Sequence, residues 1–317
     1  MKNFADKLIE AIIKKKSVAV VGLDPRLGQI PTFLKEEAKK EFGEGFEAAG
    51  SAFFEFNKRI IDAVEGHIPA IKPQMAFYEQ YGKAGIEAFN KTVKYGRKKG
   101  LLVIADAKRN DIGSTAKAYA AAFLGEVELL EGKKPSFDAD CLTVNAYLGT
   151  DGVKPFTEAC KQFGKGIFVL VKTSNPSSGD IQDKELKEGG TVFELMAEFV
   201  KKWGAETIGE KGYSSVGAVV GATYPEQAKS LRKIMPQAFF LVPGYGAQGG
   251  GAKDVLPCFN DDGLGAIVNS SRGIIFAYEK EEFNCKETEF EKASLKAVEK
   301  MNKDINTVLK ENIKLPW

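Results

Sequence analysis

Histidine is almost absent from this chain, since His67 is the only one in 317 residues. Because histidine is the side chain that most often transfers protons near neutral pH, acid–base chemistry would have to use lysine and carboxylate side chains here. His67 lies in the run Glu65–Pro69, where a predicted helix ends and a predicted strand begins. That position is remote from the strand ends that carry active sites in α/β barrels, so we expect His67 to be structural.

Cysteine is also scarce, with four residues that form no CxxC pair and have no histidine at ligand spacing. This pattern argues against a zinc site and against a disulfide framework. Reduced thiols are typical of the cytoplasm, where we expect the protein to act. No apolar run approaches the roughly 18 residues of a membrane span, and the N-terminus lacks the features of a signal peptide. We therefore expect neither membrane contact nor secretion.

Neither sign of charge is in excess: 45 basic and 43 acidic residues leave a net charge of +2. Such a balance does not suggest a nucleic-acid surface or a polybasic membrane patch, so a small-molecule substrate is expected. The length suits a single closed α/β barrel with insertions, and no linker-like composition divides the chain. We predict one domain covering residues 1–317.

The sequence does contain short apolar runs that alternate with amphipathic segments such as 46–64. Eight such alternations predict an α/β fold, a (β/α)8 TIM barrel, with an open doubly wound sheet as the alternative. Insertions are predicted after strand 1, at residues 29–45, and after strand 5, at residues 175–213. A helix is expected to start at Thr223-Tyr224-Pro225-Glu226 with Thr223 as its cap, and another to cover 287–311. The predicted strands are residues 17–23, 70–74, 101–108, 141–145, 167–173, 216–222, 238–243 and 266–269.

The most informative segment is Asp106-Ala107-Lys108-Arg109-Asn110-Asp111, which follows the apolar run 101–105. Strand side chains alternate with a period of two, so Asp106 and Lys108 should point to the same side. Asp111 follows where the chain turns toward a helix that begins near residues 113–115. An ammonium group between carboxylates fits either a catalytic site or an ordinary ion-pair network at a strand end.

Polar residues are concentrated where the predicted strands end, which is the end at which barrel enzymes place their active sites. After strand 7 the glycine-rich run 243–251 contains Gln248, and Arg272 follows strand 8. Glycine amides and a guanidinium fork suit a phosphate group, although a flexible loop beside an exposed arginine is the alternative. The polar strand-end residues are Asp24, Lys72, Asp106, Lys108, Asn145, Ser174, Gln248 and Arg272.

These motifs resemble the orotidine 5′-phosphate decarboxylase family, in particular its longer bacterial type, over most of the chain. The resemblance implies decarboxylation of orotidine 5′-phosphate (OMP) to UMP and CO2, the last step of UMP biosynthesis, by a homodimeric barrel without a metal or organic cofactor. The block that starts at Asp106 is the most specific match. The matching segments are 22–26, 72–74, 106–115, 143–145, 172–176, 243–244, 247–250 and 269–272.

The resemblance also implies roles for individual residues. Lys72, Asp106, Lys108 and Asp111 match the family's tetrad of alternating charges, with Asp111 reaching into the partner subunit's site. Lys108 matches the proton donor to the ring carbon. Among the substrate-binding positions, Asp24 and Lys72 match contacts to the ribose, joined by Thr115 from the partner; Ser174 matches the residue that reads the pyrimidine; and Gln248 and Arg272 match the phosphate grip.

Several alternatives stay open at this point. A metal-dependent sugar-phosphate lyase or decarboxylase of the same barrel group would share the Asp-x-Lys-x-x-Asp block, but it would need a carboxylate where Lys72 stands. A phosphate-binding barrel without catalysis would need no alternating charges. Thr173 could replace Ser174, and the insertion 175–213 could be a lid, packing or dimer surface. Association with the preceding phosphoribosyltransferase is not readable from the sequence.

Overall fold

Eight parallel strands close into a barrel in the computed structural model, which describes residues 1–246 and 250–317. Each strand pairs with its neighbours in the chain, and β1 pairs with β8 to close the ring. The predicted TIM barrel is confirmed, and the open sheet is wrong. The strands are β1 (Ala19–Leu23), β2 (Ala70–Pro73), β3 (Leu102–Arg109), β4 (Cys141–Val144), β5 (Gly166–Lys172), β6 (Ser214–Val220), β7 (Ala238–Val242) and β8 (Ala266–Ser270).

All eight predicted strands are present, with ends that differ from the predicted ones by one or two residues. Their side chains are almost entirely buried, as continuous apolar runs between a packed interior and surrounding helices require. A two-stranded hairpin at Val127–Glu128 and Lys133–Lys134 was not predicted. It is too short to give an alternating pattern in the sequence.

Helices surround the barrel and fill the insertions. The helix predicted at 46–64 is present with those bounds and buries Phe53, Phe56 and Ile60. The helices are α1 (Phe4–Lys15), α2 (Thr32–Phe42), α3 (Phe46–Val64), α4 (Ala76–Glu79), α5 (Gly82–Lys98), α6 (Gly113–Leu124), α7 (Thr150–Phe163), α8 (Val192–Gly204), α9 (Pro225–Ile234), α10 (Ala252–Val255), α11 (Arg272–Ile275) and α12 (Phe290–Asn312).

Helix α1 lies against the N-terminal end of the barrel. The ring of Phe4 meets that of Phe168 edge to face, with centroids 6.3 Å apart. Asp6 accepts hydrogen bonds from the backbone amides of Glu210 and Lys211, at 3.0 and 2.9 Å, which ties α1 to the loop before β6. The opposite, C-terminal end of the strands carries the cavity that six of the nine predicted site residues line.

The start of α9 differs from the prediction. The helix begins at Pro225 as expected, but Tyr224 is its N-cap residue and no side chain caps the helix. The Thr223 hydroxyl is buried and has no hydrogen-bond partner among the described residues. Tyr224 instead places its ring 4.4 Å from the ammonium of Lys172. The predicted cap at Thr223 is therefore wrong: Tyr224 occupies the N-cap position, and its ring packs against a lysine of another strand.

His67 follows α3 and precedes β2, at the N-terminal end of the barrel, as predicted. Its backbone carbonyl accepts a hydrogen bond from the side chain of Asn302 at 2.8 Å, which ties this turn to α12.

All four cysteines are unpaired thiols. Within residues 1–246 and 250–317, none of the helices combines the length and the apolar character needed to cross a bilayer.

Candidate active site

A cavity of about 510 Å³ opens at the C-terminal ends of the strands. It brings together six of the nine predicted site residues, which come from the ends of four strands and from the loop after β1. The predicted residues that line it are Asp24, Lys72, Asp106, Lys108, Ser174 and Arg272. Of the polar strand-end residues, Asn145 is absent from the lining, because its side chain accepts a hydrogen bond from the Tyr147 amide in the next turn.

Asp106 is the centre of the charged cluster. Its Oδ2 accepts from the Lys72 ammonium at 2.7 Å and from the Gln74 amide at 3.0 Å. Its Oδ1 accepts from the Lys108 ammonium at 2.5 Å and from the Thr143 hydroxyl at 2.9 Å. The side chains of Lys72 and Asp106 are almost fully buried, whereas that of Lys108 is 45% exposed toward the open end. The ammonium of Lys108 is therefore the one that a bound molecule can reach.

The pairing of Asp106 with Lys72 favours the charged forms of both groups. Burial would raise the pKa of Asp106, but Lys72 and Lys108 outweigh it and hold that pKa well below its usual range. Burial would likewise lower the pKa of Lys72, but Asp106 and then Asp24 raise it above its ordinary value. The Asp106 carboxylate and the Lys72 ammonium thus form a nearly buried ion pair, where electrostatic interactions are stronger than in bulk solvent.

The backbone at Lys108 is unusual, with φ of 48°. A non-glycine residue in this region is uncommon and costs on the order of 1 kcal/mol. The pairing of β3 with β4 is irregular between Ala105 and Arg109, and the Lys108 amide donates to the Thr143 hydroxyl at 2.9 Å. Thr143 therefore holds both the carboxylate of Asp106 and the backbone of Lys108.

Two buried acceptors face this cavity without donors. Asp24 Oδ1 and Asn269 Oδ1 are both buried and have no hydrogen-bond partner among the described residues, and both residues line the cavity. A buried acceptor without a partner costs about 1–3 kcal/mol. Such positions are suited to hydroxyl donors on a ligand.

Thr173 and Ser174 both line the cavity, and their hydrogen bonds distinguish them. The Thr173 hydroxyl donates to Asn175 at 2.7 Å and accepts from Gln182 at 2.8 Å. The Ser174 hydroxyl has no hydrogen-bond partner in the described part of the chain, and the residue lies against Gly221, where a Cβ would approach its atoms to 3.0 Å. Ser174 is therefore the residue of the pair that is free to bind a ligand.

The end of β8 supplies Asn269, Ser271 and Arg272 to the cavity. Arg272 is exposed and starts α11. Ser271 lies so close to β1 that a Cβ on Gly22 would come within 1.9 Å of its Oγ, so only glycine fits there. Gln248, the other predicted phosphate contact, lies outside the described residues.

Asp111 and Thr115 do not line the cavity of their own chain. Thr115 is exposed, and Asp111 accepts a hydrogen bond from the Ile112 amide at 2.8 Å. Exposed apolar side chains lie next to Asp111 in the chain and in the loop between β4 and α7. Ile112 is 53% exposed, while Tyr147 is 82% and Leu148 47% exposed.

Sequence reasoning missed Gln74, Thr143, Asn269 and Gln182 as residues of this site. Each of the first three belongs to a strand or immediately follows one, and that position was the available signal. No three His, Cys, Asp or Glu side chains within residues 1–246 and 250–317 are grouped so that they could hold a metal ion.

Comparisons with known proteins agree with this geometry. The model of the orotidine 5'-phosphate decarboxylase / HUMPS family matches residues 34–283. A protein of Caldicellulosiruptor bescii named orotidine 5'-phosphate decarboxylase is 48% identical over 310 residues, covering 98% of this chain and 100% of that protein. A protein of Rhodopirellula baltica with the same name is 48% identical over 284 residues, which cover 90% of this chain and 92% of that protein.

Solved structures give the same result. The structure of Leishmania donovani OMP decarboxylase superposes with a TM-score of 0.73 at 28% sequence identity. The superposition covers 96% of this chain and 98% of that one. The match therefore extends over nearly the full length of both chains. On the family model and on these near full-length relatives, the chain belongs to the orotidine 5'-phosphate decarboxylase / HUMPS family.

Proposed function

We propose that this chain decarboxylates OMP to UMP and CO2, the final step in making UMP, and that it does so without a metal or an organic cofactor. The observation that carries the proposal is the position of Asp106 between Lys72 and Lys108 inside the cavity. The names of its near full-length relatives support the same reaction. The whole chain, residues 1–317, would act as one barrel domain.

The chemistry follows from the charges. The bond between the ring carbon and the carboxylate breaks, CO2 leaves, and the electron pair stays on the ring carbon. No cofactor delocalises that pair, so the site has to stabilise it electrostatically. Lys108 supplies a fixed ammonium for the developing charge and then donates a proton to the carbon. The Asp106 carboxylate repels the bound substrate carboxylate more than the transition state, in which that charge has moved away.

The remaining residues would hold the nucleotide. Arg272 and Gln248 would bind the phosphate, where a guanidinium fork suits the phosphate oxygens. Asp24, whose buried Oδ1 has no donor among the described residues, would accept from a ribose hydroxyl, and Lys72 would donate to the ribose. Ser174 would read the pyrimidine ring, because its hydroxyl has no partner in the described chain while that of Thr173 is already engaged.

A homodimer would complete the site. Asp111 and Thr115 would reach the cavity of the partner subunit, since they do not line their own. The exposed side chains of Ile112, Tyr147 and Leu148 support this proposal, because subunit interfaces bury exposed apolar side chains of this kind.

The test is a decarboxylation assay on OMP in the presence of a chelator, followed by the ultraviolet change as the ring loses its carboxylate. We expect rapid conversion by the native chain and a loss of at least about 10³-fold in kcat for Lys108→Ala, with binding of UMP retained. Substantial turnover by Lys108→Ala would contradict the proton-donor role. No conversion of OMP, with magnesium-dependent activity on a sugar phosphate, would instead assign the chain to the metal-dependent branch of the family.

A further inference from the structure

Lys172 is a fully buried lysine that the proposed reaction does not use. It is the last residue of β5 and has 0% exposure. Its ammonium donates to Asp183 Oδ1 at 2.6 Å and to the Ser178 hydroxyl at 3.2 Å, and it lies 4.4 Å from the ring centroid of Tyr224. An ammonium without solvent contact is costly unless its hydrogen bonds are satisfied, so these partners are needed to keep it there.

Two of the three partners lie on one segment, residues 175–183, which starts the insertion after strand 5. Ser178 belongs to its 3-10 turn, Pro176–Asp180, and Asp183 follows three residues after that turn. Asp183 also packs closely against Gly179, where a Cβ would lie 2.9 Å from Asp183 Oδ2. The third partner, Tyr224, also contacts the segment, since its hydroxyl lies 3.4 Å from that of Ser178.

The next residue of the chain makes a second tie to the same segment. The Thr173 amide donates to Gln182 Oε1 at 3.0 Å, and Gln182 Nε2 donates back to the Thr173 hydroxyl at 2.8 Å. Lys172 and Thr173 therefore fix neighbouring residues of the segment, Asp183 and Gln182. Ser174 comes directly after them and lines the cavity.

We propose that Lys172 is a positioning residue, whose buried ammonium keeps segment 175–183 folded against the end of β5 and thereby sets Ser174 for the pyrimidine. This role rests on the proposed function for its substrate. Lys172 itself has no exposed surface, so it acts through the segment and touches no ligand. An apolar side chain could fill the same volume, but it could not link a carboxylate, a hydroxyl and an aromatic ring from two loops.

The kinetic test is Lys172→Met. We expect KM for OMP to rise about tenfold with kcat changed less than about twofold, because binding must then order the segment and the competent fraction of the free enzyme falls. The matched control is Lys165→Met. Lys165 precedes the same strand at its other end, is 6% exposed and pairs with Asp138 at 2.8 Å. Lys165→Met should lower the free energy of unfolding and leave KM for OMP unchanged.

A double-mutant cycle with Ser174→Ala tests the coupling. If Lys172 acts through Ser174, the KM increase caused by Lys172→Met should shrink from about tenfold to about twofold in the Ser174→Ala background. A full tenfold increase in both backgrounds would overturn the proposal. Asp183→Asn, a milder change, should reproduce the KM increase if Lys172→Met fails to fold.

A measurement without substrate separates this inference from the proposed reaction. Hydrogen exchange of amides in 175–183 should accelerate at least about tenfold in Lys172→Met and stay unchanged in Lys165→Met. Unchanged exchange in Lys172→Met would contradict the anchoring role whatever the enzyme's substrate. If exchange accelerates in Lys172→Met but the native protein does not decarboxylate OMP, the anchoring role of Lys172 is supported and the proposed function is rejected.

Discussion

The two ends of the barrel each carry a cluster of alternating charges, and the clusters differ in how completely their groups are paired. At the N-terminal end, Asp140 accepts from the Val103 amide at 3.0 Å and lies 3.6 Å from Arg97 and 3.9 Å from Lys165. Arg97 and Lys165 also pair with Asp138. This cluster has the character of a structural network.

The cluster at the C-terminal end is built from similar parts around Asp106, which is 7% exposed, as is Asp140. Here, however, Asp24 and Asn269 each keep a buried acceptor without a donor in the described chain. Lys108 turns an exposed ammonium toward a cavity. The comparison teaches that alternating charge alone does not identify a candidate active site, and that unsatisfied groups facing a cavity are the more informative signal.

After Lys108→Ala, the largest effect should separate the two aspartates. Asp106→Asn should lower kcat by at least about 10²-fold, because it removes the charge between Lys72 and Lys108. Asp140→Asn should leave kcat within about twofold and lower the free energy of unfolding by about 2 kcal/mol, since it weakens a buried paired group. Both are measured by the decarboxylation assay and by denaturant unfolding. Equal losses of kcat in the two variants would erase the distinction between the clusters.

Arg272→Ala should have the next largest effect. We expect KM for OMP to rise about 10- to 100-fold, because charge-assisted hydrogen bonds contribute roughly 1.5–3 kcal/mol. The same variant should act on orotidine, which lacks the phosphate, as the native enzyme does. Steady-state kinetics on both substrates provide the check. A parallel loss on the two substrates would contradict phosphate binding by this residue.

Thr143→Val should lower kcat by about tenfold, because its hydroxyl bonds both the Asp106 carboxylate and the Lys108 amide. Thr143→Ser keeps the hydroxyl and should retain kcat within about threefold, given the similar bonding of the two side chains. Kinetics at saturating OMP measure both variants. A serine variant as slow as the valine variant would mean that the hydroxyl alone does not account for the role of Thr143.

The smallest expected effect concerns pH: titration of Asp106 should leave kcat unchanged near neutral pH. The pKa of Asp106 is lowered because Lys72 and Lys108 outweigh its burial, so the folded-state pKa lies below the ordinary 3.8. Its contribution to stability is therefore present above pH 3.8 and is lost only as pH falls through the lower folded value. At saturating OMP, kcat should show no acid limb from Asp106 between pH 7 and pH 5. A midpoint inside that range, in folded protein, would contradict the pairing of this carboxylate.

Much of this architecture is readable from the sequence. Buried strands of a parallel barrel need continuous apolar runs, and those runs located all eight strands. The period of two placed Asp106 and Lys108 on one side, as their 2.5 Å contact confirms. Because parallel strands end together, the residues Asp24, Lys72, Ser174 and Arg272 could be expected at one site.

The remaining features depend on contacts between distant residues. The positive φ of Lys108 occurs where the pairing of β3 with β4 is irregular, which no local pattern announces. The capping pattern at Thr223 failed because Tyr224 packs on Lys172, from another strand end. Roles that need a second subunit, those of Asp111 and Thr115, stay predictions, as does the cytoplasmic location.

The seam between β1 and β8 has a consequence for synthesis on the ribosome. Val20 pairs with Asn269 across this seam, and Gly22 packs under Ser271, so the cavity is divided between an early and a late part of the chain. The growing polypeptide exposes Asp24 long before the residues that face it emerge. Folding intermediates should therefore have an incomplete site. The onset of nucleotide binding would mark the moment at which the barrel closes.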